Sequence, residues 1–368
     1  MAGVYVLTLA VSLAIGFALT VALLALSRTE RMLGLFDVRG PQERPRWGGA
    51  VFLAAFALTP FIASVISSHA DQLFSPKSGE FMGFLAAASL VFGVAFLDDL
   101  RLTSPWLRSA VFLVAGAAVY AAGYRLDDIG LPLGPDIHLW APIAFAATLA
   151  WVWLTTNAFN LIDGRDGVAL GVAVFAAVTM AVIAGNSDHP TVALLLVTLA
   201  GAGLGFLPFN LPPASAYVGD SGANVLGFII GTLAIRAATG PTDHIFVLVP
   251  IVALGFPLMD IGLAWTRRIL HGQHPMIGDQ DHIHHRIEQA GAGPRGLLVI
   301  IYGIAALFSL GAIGLHYVDS IWMEALVLVG LVTTVSVVLL RLGYVVTLWN
   351  SHGVVWVRQR IFAPERRD

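Results

Sequence analysis

The chain has 368 residues, of which 57% are hydrophobic and 12% charged, with a formal net charge of −3. Soluble domains carry about 25% charged residues, so the composition excludes an ordinary water-soluble globule and points to a multi-span helical membrane protein. The charge excludes a broad nucleic-acid surface, and the absence of cysteine excludes disulfides, thiolate catalysis and Cys-ligated zinc.

Windows without charge fall at 3–26, 47–66, 81–97, 109–124, 139–158, 167–185, 190–209, 223–235, 245–265, 296–317 and 325–340, the ninth interrupted by Asp260. A span takes about 20 apolar residues, so these predict eleven helices in an all-α, polytopic membrane fold. The first run follows no basic residue and exceeds the roughly 7–15 apolar residues of a secretory signal, so it is expected to remain as a span. The fourth and eighth are short and rely on boundary residues such as Arg236 to snorkel.

The basic residues test this count. With the N-terminus outside (periplasmic) and the C-terminus inside (cytoplasmic), 17 of the 20 Lys and Arg lie on one face, and only Lys77, Arg125 and Arg236 on the other. That is the positive-inside pattern. Dropping one span would put Asp98 and Asp163 on opposite sides. The expected organisation is one domain, 1–368, with cytoplasmic loops near 27–46, 98–108, 159–167, 210–222 and 266–295 and a tail at 350–368. The outer loops are brief and bland.

Polar chemistry collects in four inside segments, each at the edge of a span. The first is the Asp98-Asp99 pair. The second runs from Asn157 through Asn160, Asp163 and Asp166 to Gly167, and the third is Tyr217-Val218-Gly219-Asp220-Ser221-Gly222. The fourth is Asp279-Gln280-Asp281-His282-Ile283-His284-His285-Arg286. Carboxylates at a membrane edge cost several kcal/mol unless a cation, a partner or water compensates them. Adjacent carboxylates raise each other's pKa, and Mg²⁺, which selects hard oxygen ligands, removes the conflict. Asn157, Asn160 and Asp163 recur every third residue and share a helical face. The histidine cluster beside Arg286 fits phosphate recognition better than a transition metal.

Taken in order, these motifs resemble the polyprenyl-phosphate N-acetylhexosamine-1-phosphate transferase family, glycosyltransferase family 4, which includes WecA, TagO and MraY. The His-x-His-His form is closer to the WecA and TagO branch. Pro257, Asp260, Arg267 and Arg268 resemble the approach to the histidine loop, and Asp37 with Gly48-Gly49 the loop after span one. The resemblance implies eleven transmembrane helices, a cytoplasmic active site in the bacterial inner membrane, and dependence on Mg²⁺, with Mn²⁺ as a substitute. It implies transfer of a sugar 1-phosphate from a UDP-N-acetylhexosamine to undecaprenyl phosphate with release of UMP, starting a lipid-linked envelope glycan. UDP-GlcNAc is the expected donor, with a modified HexNAc or UDP-MurNAc-pentapeptide as alternatives and a homodimer as a further expectation.

On that reading Asp220 holds the metal with Asn160 as second ligand. Asp98, Asp99 and Asp163 are catalytic, Asp98 or Asp99 orienting or deprotonating the lipid phosphate. Asn157, Asp166, Tyr217, His282, His284, His285 and Arg286 bind substrate. A transporter with intramembrane acids is the rival class, but the ionisable groups cluster on one face rather than through the bilayer. Arg165 stands where the family has a hydrophobic residue, and Gln280 where it has an arginine. Two expectations remain open for Arg165: it supplies the missing charge, or it faces water.

Overall fold

The computed structural model describes residues 2–27, 46–74, 79–100, 103–130, 137–239, 245–273, 281–318 and 320–344. Asp37, Lys77, Gln280 and the tail at 350–368 lie outside the described residues. Every apolar window holds a helix. Those of the first three windows are α1 (Ala2–Ser27), α2 (Gly48–Ile66) and α4 (Gly79–Leu100), with a short helix α3 (Ser68–Leu73) between the last two. There follow α5 (Pro105–Ala121), α6 (Ala141–Ile162), α7 (Val168–Asn186), α8 (Pro190–Asn210) and α9 (Gly219–Ala237). The ninth window is split into α10 (Leu248–Ala253) and α11 (Gly255–Leu270), and the last two hold α13 (Pro294–Tyr317) and α14 (Ile321–Arg341).

Eight of these helices are long and apolar enough to cross a bilayer. Helix α5, helix α9 and the α10–α11 pair fill the remaining three windows. The chain is thus a multi-pass, all-α membrane protein. The break in the ninth window has a local cause: the ring of Pro257 conflicts with the carbonyl four residues back, at Ala253, and Pro257 has no N–H to offer it.

Helix α9 is the axis of the bundle. Every residue from Ser221 to Ile235 is buried, and the helix packs against α2, α4, α6, α7 and α8. The indole of Trp151 on α6 donates to the Gly231 carbonyl of α9 at 2.8 Å. Helix α1 lies along α8, where the Ser12 hydroxyl donates to the Thr198 carbonyl at 2.5 Å. Helix α14 rests on α13 and is the least buried of the spans.

Three expectations shift. Helix α9 starts at Gly219, not at 223, so the eighth span reaches 19 residues. Helices α4, α6 and α11 continue past their charge-free windows, which puts Asp98, Asp99, Asn160, Arg267 and Arg268 on helical last turns. The loops before α6 and α10 carry a small sheet in the order β2-β1-β3, with β1 (Asp128–Gly130) antiparallel to β2 (Ile137–His138) and parallel to β3 (Ile245–Phe246).

Candidate active site

The site is built where α4, α6 and α9 end or begin together. The N-terminus of α9 leaves backbone N–H groups without helical acceptors. Asp99, from the last turn of α4, satisfies two of them: Oδ1 accepts the Asp220 N–H and Oδ2 the Ser221 N–H, each at 2.9 Å. Its neighbour Asp98 accepts the backbone N–H and hydroxyl of Thr103 at 2.7 and 2.8 Å, and Nη1 of Arg108 at 2.6 Å. The same Arg108 nitrogen lies 3.7 Å from Asp220 Oδ2. The Asp-Asp pair is therefore divided, one member capping a helix and the other held by an arginine.

Residues Gly48 and Gly49 let α2 approach this point. A Cβ at Gly48 would lie 2.7 Å from the Val218 carbonyl oxygen, and one at Gly49 2.7 Å from backbone and side-chain atoms of Ser221. Only glycine allows such contact.

Asn160, on the last turn of α6, donates its amide to Asp220 Oδ1 at 3.3 Å. Asp163 follows in the turn between α6 and α7. Among the described residues no hydrogen bond reaches its carboxylate. Burial, then the negative charges of Asp220 and Asp99, push its pKa well above the ordinary carboxylate range, with Arg46 opposing. Asn157 points elsewhere, donating its amide to the Trp153 carbonyl of its own helix at 2.7 Å.

The turn itself is held by residues that the sequence did not single out. The Gly167 N–H donates to Asn210 Oδ1 at 3.1 Å and its carbonyl accepts the Tyr302 hydroxyl at 2.7 Å. Asp166 accepts the Ala214 N–H at 2.9 Å. The only signal for Asn210 was its place at a helix end beside a Pro-rich turn, and Tyr302 gave none.

A cavity of about 910 Å³ opens beside this turn. Asp163, Asp166, Tyr217, Asp220 and Arg46 line it towards the helix ends, and Arg165, Glu288 and Arg295 also contribute.

The histidine segment forms a short helix, α12 (Ile283–Gln289). Asp260 on α11 caps it: Oδ1 accepts the Ile283 N–H at 2.9 Å, and Oδ2 pairs with Nδ1 of His282 at 2.7 Å. His282 and His284 stack with ring planes 7° apart, and His284 lies 4.1 Å from His285 between centroids. The His284 Nε2 faces Gly164, where a Cβ would come within 2.5 Å of it. Burial, reinforced by His285, lowers the His284 pKa to about 4, so at pH 7 it is a neutral imidazole. His285 is lowered as well, first by burial and then by Arg165.

Arg286 sits differently from its expected place among phosphates. Its guanidinium forms a two-point pair with Asp281, donates to the Leu342 carbonyl at 3.2 Å, and stacks 4.0 Å over the Tyr344 ring. It lies outside the cavity lining. The planar fork of arginine suits this buried carboxylate and aromatic setting. Arg165 is exposed to water, as one of its two alternatives has it, and also pairs with Glu288, Nε to Oε1 at 2.6 Å and Nη2 to Oε2 at 2.7 Å.

A carboxylate-walled cavity at the ends of bundled apolar helices defines a membrane protein that handles a polar ligand at the bilayer edge. Comparison with known proteins supplies its kinship. The sequence profile of Glycosyl transferase family 4 matches residues 81–238, a stretch holding Asp98, Asp163 and Asp220. A probable undecaprenyl-phosphate N-acetylglucosaminyl 1-phosphate transferase of Bacillus subtilis is 29% identical over 80% of this chain and 79% of its own. A decaprenyl-phosphate N-acetylglucosaminephosphotransferase of Mycobacterium leprae is 28% identical over 83% and 84%. An undecaprenyl-phosphate alpha-N-acetylglucosaminyl 1-phosphate transferase of Yersinia pestis is 31% identical over 63% and 65%. In sequence the chain is thus similar to glycosyl transferase family 4 over 81–238 and to these transferases over most of its length.

Proposed function

We propose that this protein transfers N-acetylhexosamine 1-phosphate from a UDP-sugar, UDP-GlcNAc first among candidates, to undecaprenyl phosphate. The observation that carries this reading is the cavity at the ends of membrane helices, walled by Asp163 and Asp220 and flanked by Tyr217 and Arg46. It offers an aromatic face, carboxylates and cations beside an apolar bundle, the chemistry that a nucleotide diphosphate and a lipid phosphate together require. The names of the relatives support it.

In the reaction an oxygen of the lipid phosphate attacks the β-phosphorus of the donor. A new P–O–P bond forms, the bond from the β-phosphorus to the bridging oxygen breaks, and UMP leaves with that oxygen. Asp163 is suited to take the remaining proton of the lipid phosphate, because burial and the neighbouring negative charges of Asp220 and Asp99 favour its protonated form. Asp98 and Asp99 act at one remove, through Arg108 and through the start of α9. Tyr217 is placed to stack on the base.

The donor set fits a hard divalent cation. Among the described residues no three His, Cys, Asp or Glu side chains form a cage, and Mg²⁺ characteristically uses one or two carboxylates with substrate phosphates. Asp220 and the Asn160 carbonyl would hold it, and Asp163 is within electrostatic reach of Asp220. When bound it would neutralise charge on the diphosphate and the departing UMP.

We place the site on the cytoplasmic face of the bacterial inner membrane, supported by the basic residues that gather at that end of the sequence pattern. Purified protein incubated with undecaprenyl phosphate, Mg²⁺ and a panel of UDP-sugars tests the reading. UMP release that depends on the lipid phosphate is expected; hydrolysis or silence with every donor would overturn it.

A further inference from the structure

We infer that Arg165 and Glu288 form a positioning latch that fixes the Asp163 turn against the histidine helix, an inference that rests on the proposed transferase reading for its activity readout. The pair joins segments 123 residues apart by two parallel hydrogen bonds of 2.6 and 2.7 Å. Arg165 also donates to the Gly164 carbonyl at 2.9 Å, so its guanidinium ties the turn's own backbone to α12.

A second contact lies beside it. His284, 2% exposed, presents Nε2 to Gly164 with no room for a side chain between them. The ion pair and the Gly164–His284 contact together define the relative placement of the turn that carries Asp163 and the helix that carries three histidines. The turn's other supports, Asn210, Tyr302 and Ala214, come from α8, α13 and the loop before α9. The Arg165–Glu288 pair and the His284 contact reach it from α12.

The side chains are 42% and 29% exposed. Pairs of that kind are worth about 0–1 kcal/mol in stability, too little to explain a bidentate bridge over the cavity as a fold-holding device. Misplacement of a reacting group by about 1 Å, in contrast, costs on the order of 100-fold in rate. The latch is therefore expected to act on turnover and leave stability unchanged.

The test is a mutant cycle of Arg165→Leu, Glu288→Leu, the double variant, and the exchanged pair Arg165→Glu with Glu288→Arg. Each single change should lower kcat by about tenfold, the double should fall no further, and the exchanged pair should recover most of the rate. Thermal midpoints should stay within about 4 °C. Additive losses, or a KM rise in Arg165→Leu with Glu288→Leu unaffected, would overturn the latch, the latter by making Arg165 a donor contact.

Amide hydrogen exchange supplies a readout independent of substrate. Faster exchange is expected at 163–167 and 283–289 in both single variants, with protection restored in the exchanged pair. Wild-type protein inactive with all donors, yet showing this pattern, sinks the transferase reading alone. Active wild type with unaltered exchange in the single variants sinks the latch alone.

Discussion

Asp99 and Ser221 meet across two helices, the carboxylate Oδ2 of one accepting the backbone N–H of the other at 2.9 Å while Oδ1 takes the N–H of Asp220. A side chain on α4 thus does the work of an N-cap for α9, and the residue it orients is Asp220. Loss of a capping acceptor costs about 0.5–2 kcal/mol. Asp99→Ala should therefore lower both thermal stability, by roughly that amount, and activity. Asp163→Asn should differ in its effect on stability. Its carboxyl is held above its ordinary pKa by burial and like charges, so the stability it contributes is complete at low pH and is lost as pH rises through the raised value. At neutral pH the amide should leave the thermal midpoint equal or higher while transfer falls by orders of magnitude. Equal stability losses in the two variants would contradict the division of roles.

Asp220 carries the metal assignment. Asp220→Asn and Asp220→Ala should reduce turnover by more than a factor of ten, about 1.4 kcal/mol of barrier, in protein that inserts and purifies normally. Wild-type activity should disappear in excess chelator and return with Mg²⁺. A variant retaining more than a tenth of the rate would remove Asp220 from this role.

For Tyr217 the expected effect is on binding. Stacking on a base acts equally in ground and transition states, so Tyr217→Ala should raise KM for the UDP-sugar with little change in kcat. An unchanged KM would make the ring an interfacial anchor. The measurement is steady-state kinetics at saturating lipid phosphate.

The histidines give a pH prediction. With its pKa depressed to about 4 by burial and by His285, His284 is neutral in the folded state throughout the physiological range. A depressed pKa contributes stability that is present above the unfolded value near 6.5 and is lost as pH falls towards 4. The thermal midpoint of wild type should accordingly drop more steeply between pH 6.5 and 4 than that of His284→Gln. Parallel curves would show that His284 does not resist protonation.

Arg286 is expected to act through structure. Arg286→Lys keeps the charge but cannot reproduce the paired contact with Asp281 and the stack on Tyr344, so it should lose most of the activity of the wild type. Its hydrogen exchange should rise at 281–289. Full activity in Arg286→Lys would leave only its charge as relevant.

The span count, the four polar segments and the site carboxylates were legible in the sequence, because apolar length and the cost of burying charge operate locally along the chain. A run such as 3–26 must cross or lie in a bilayer whatever surrounds it, and Asp98, Asp163 and Asp220 at span ends need a cation or partner in any fold. What each carboxylate does was not legible, because hydrogen-bond partners come from elsewhere in the chain. Asp98 and Asp99 are adjacent and chemically identical, yet Arg108 claims one and the α9 backbone the other. Arg286 stands next to three histidines but turns away to Asp281 and Tyr344. Arg165 finds Glu288, 123 residues on. Sequence decided which groups are present at the membrane edge; only the packing of α4, α6, α9 and α12 against one another decided which of them are occupied in holding the site and which, like Asp163, are left facing the cavity.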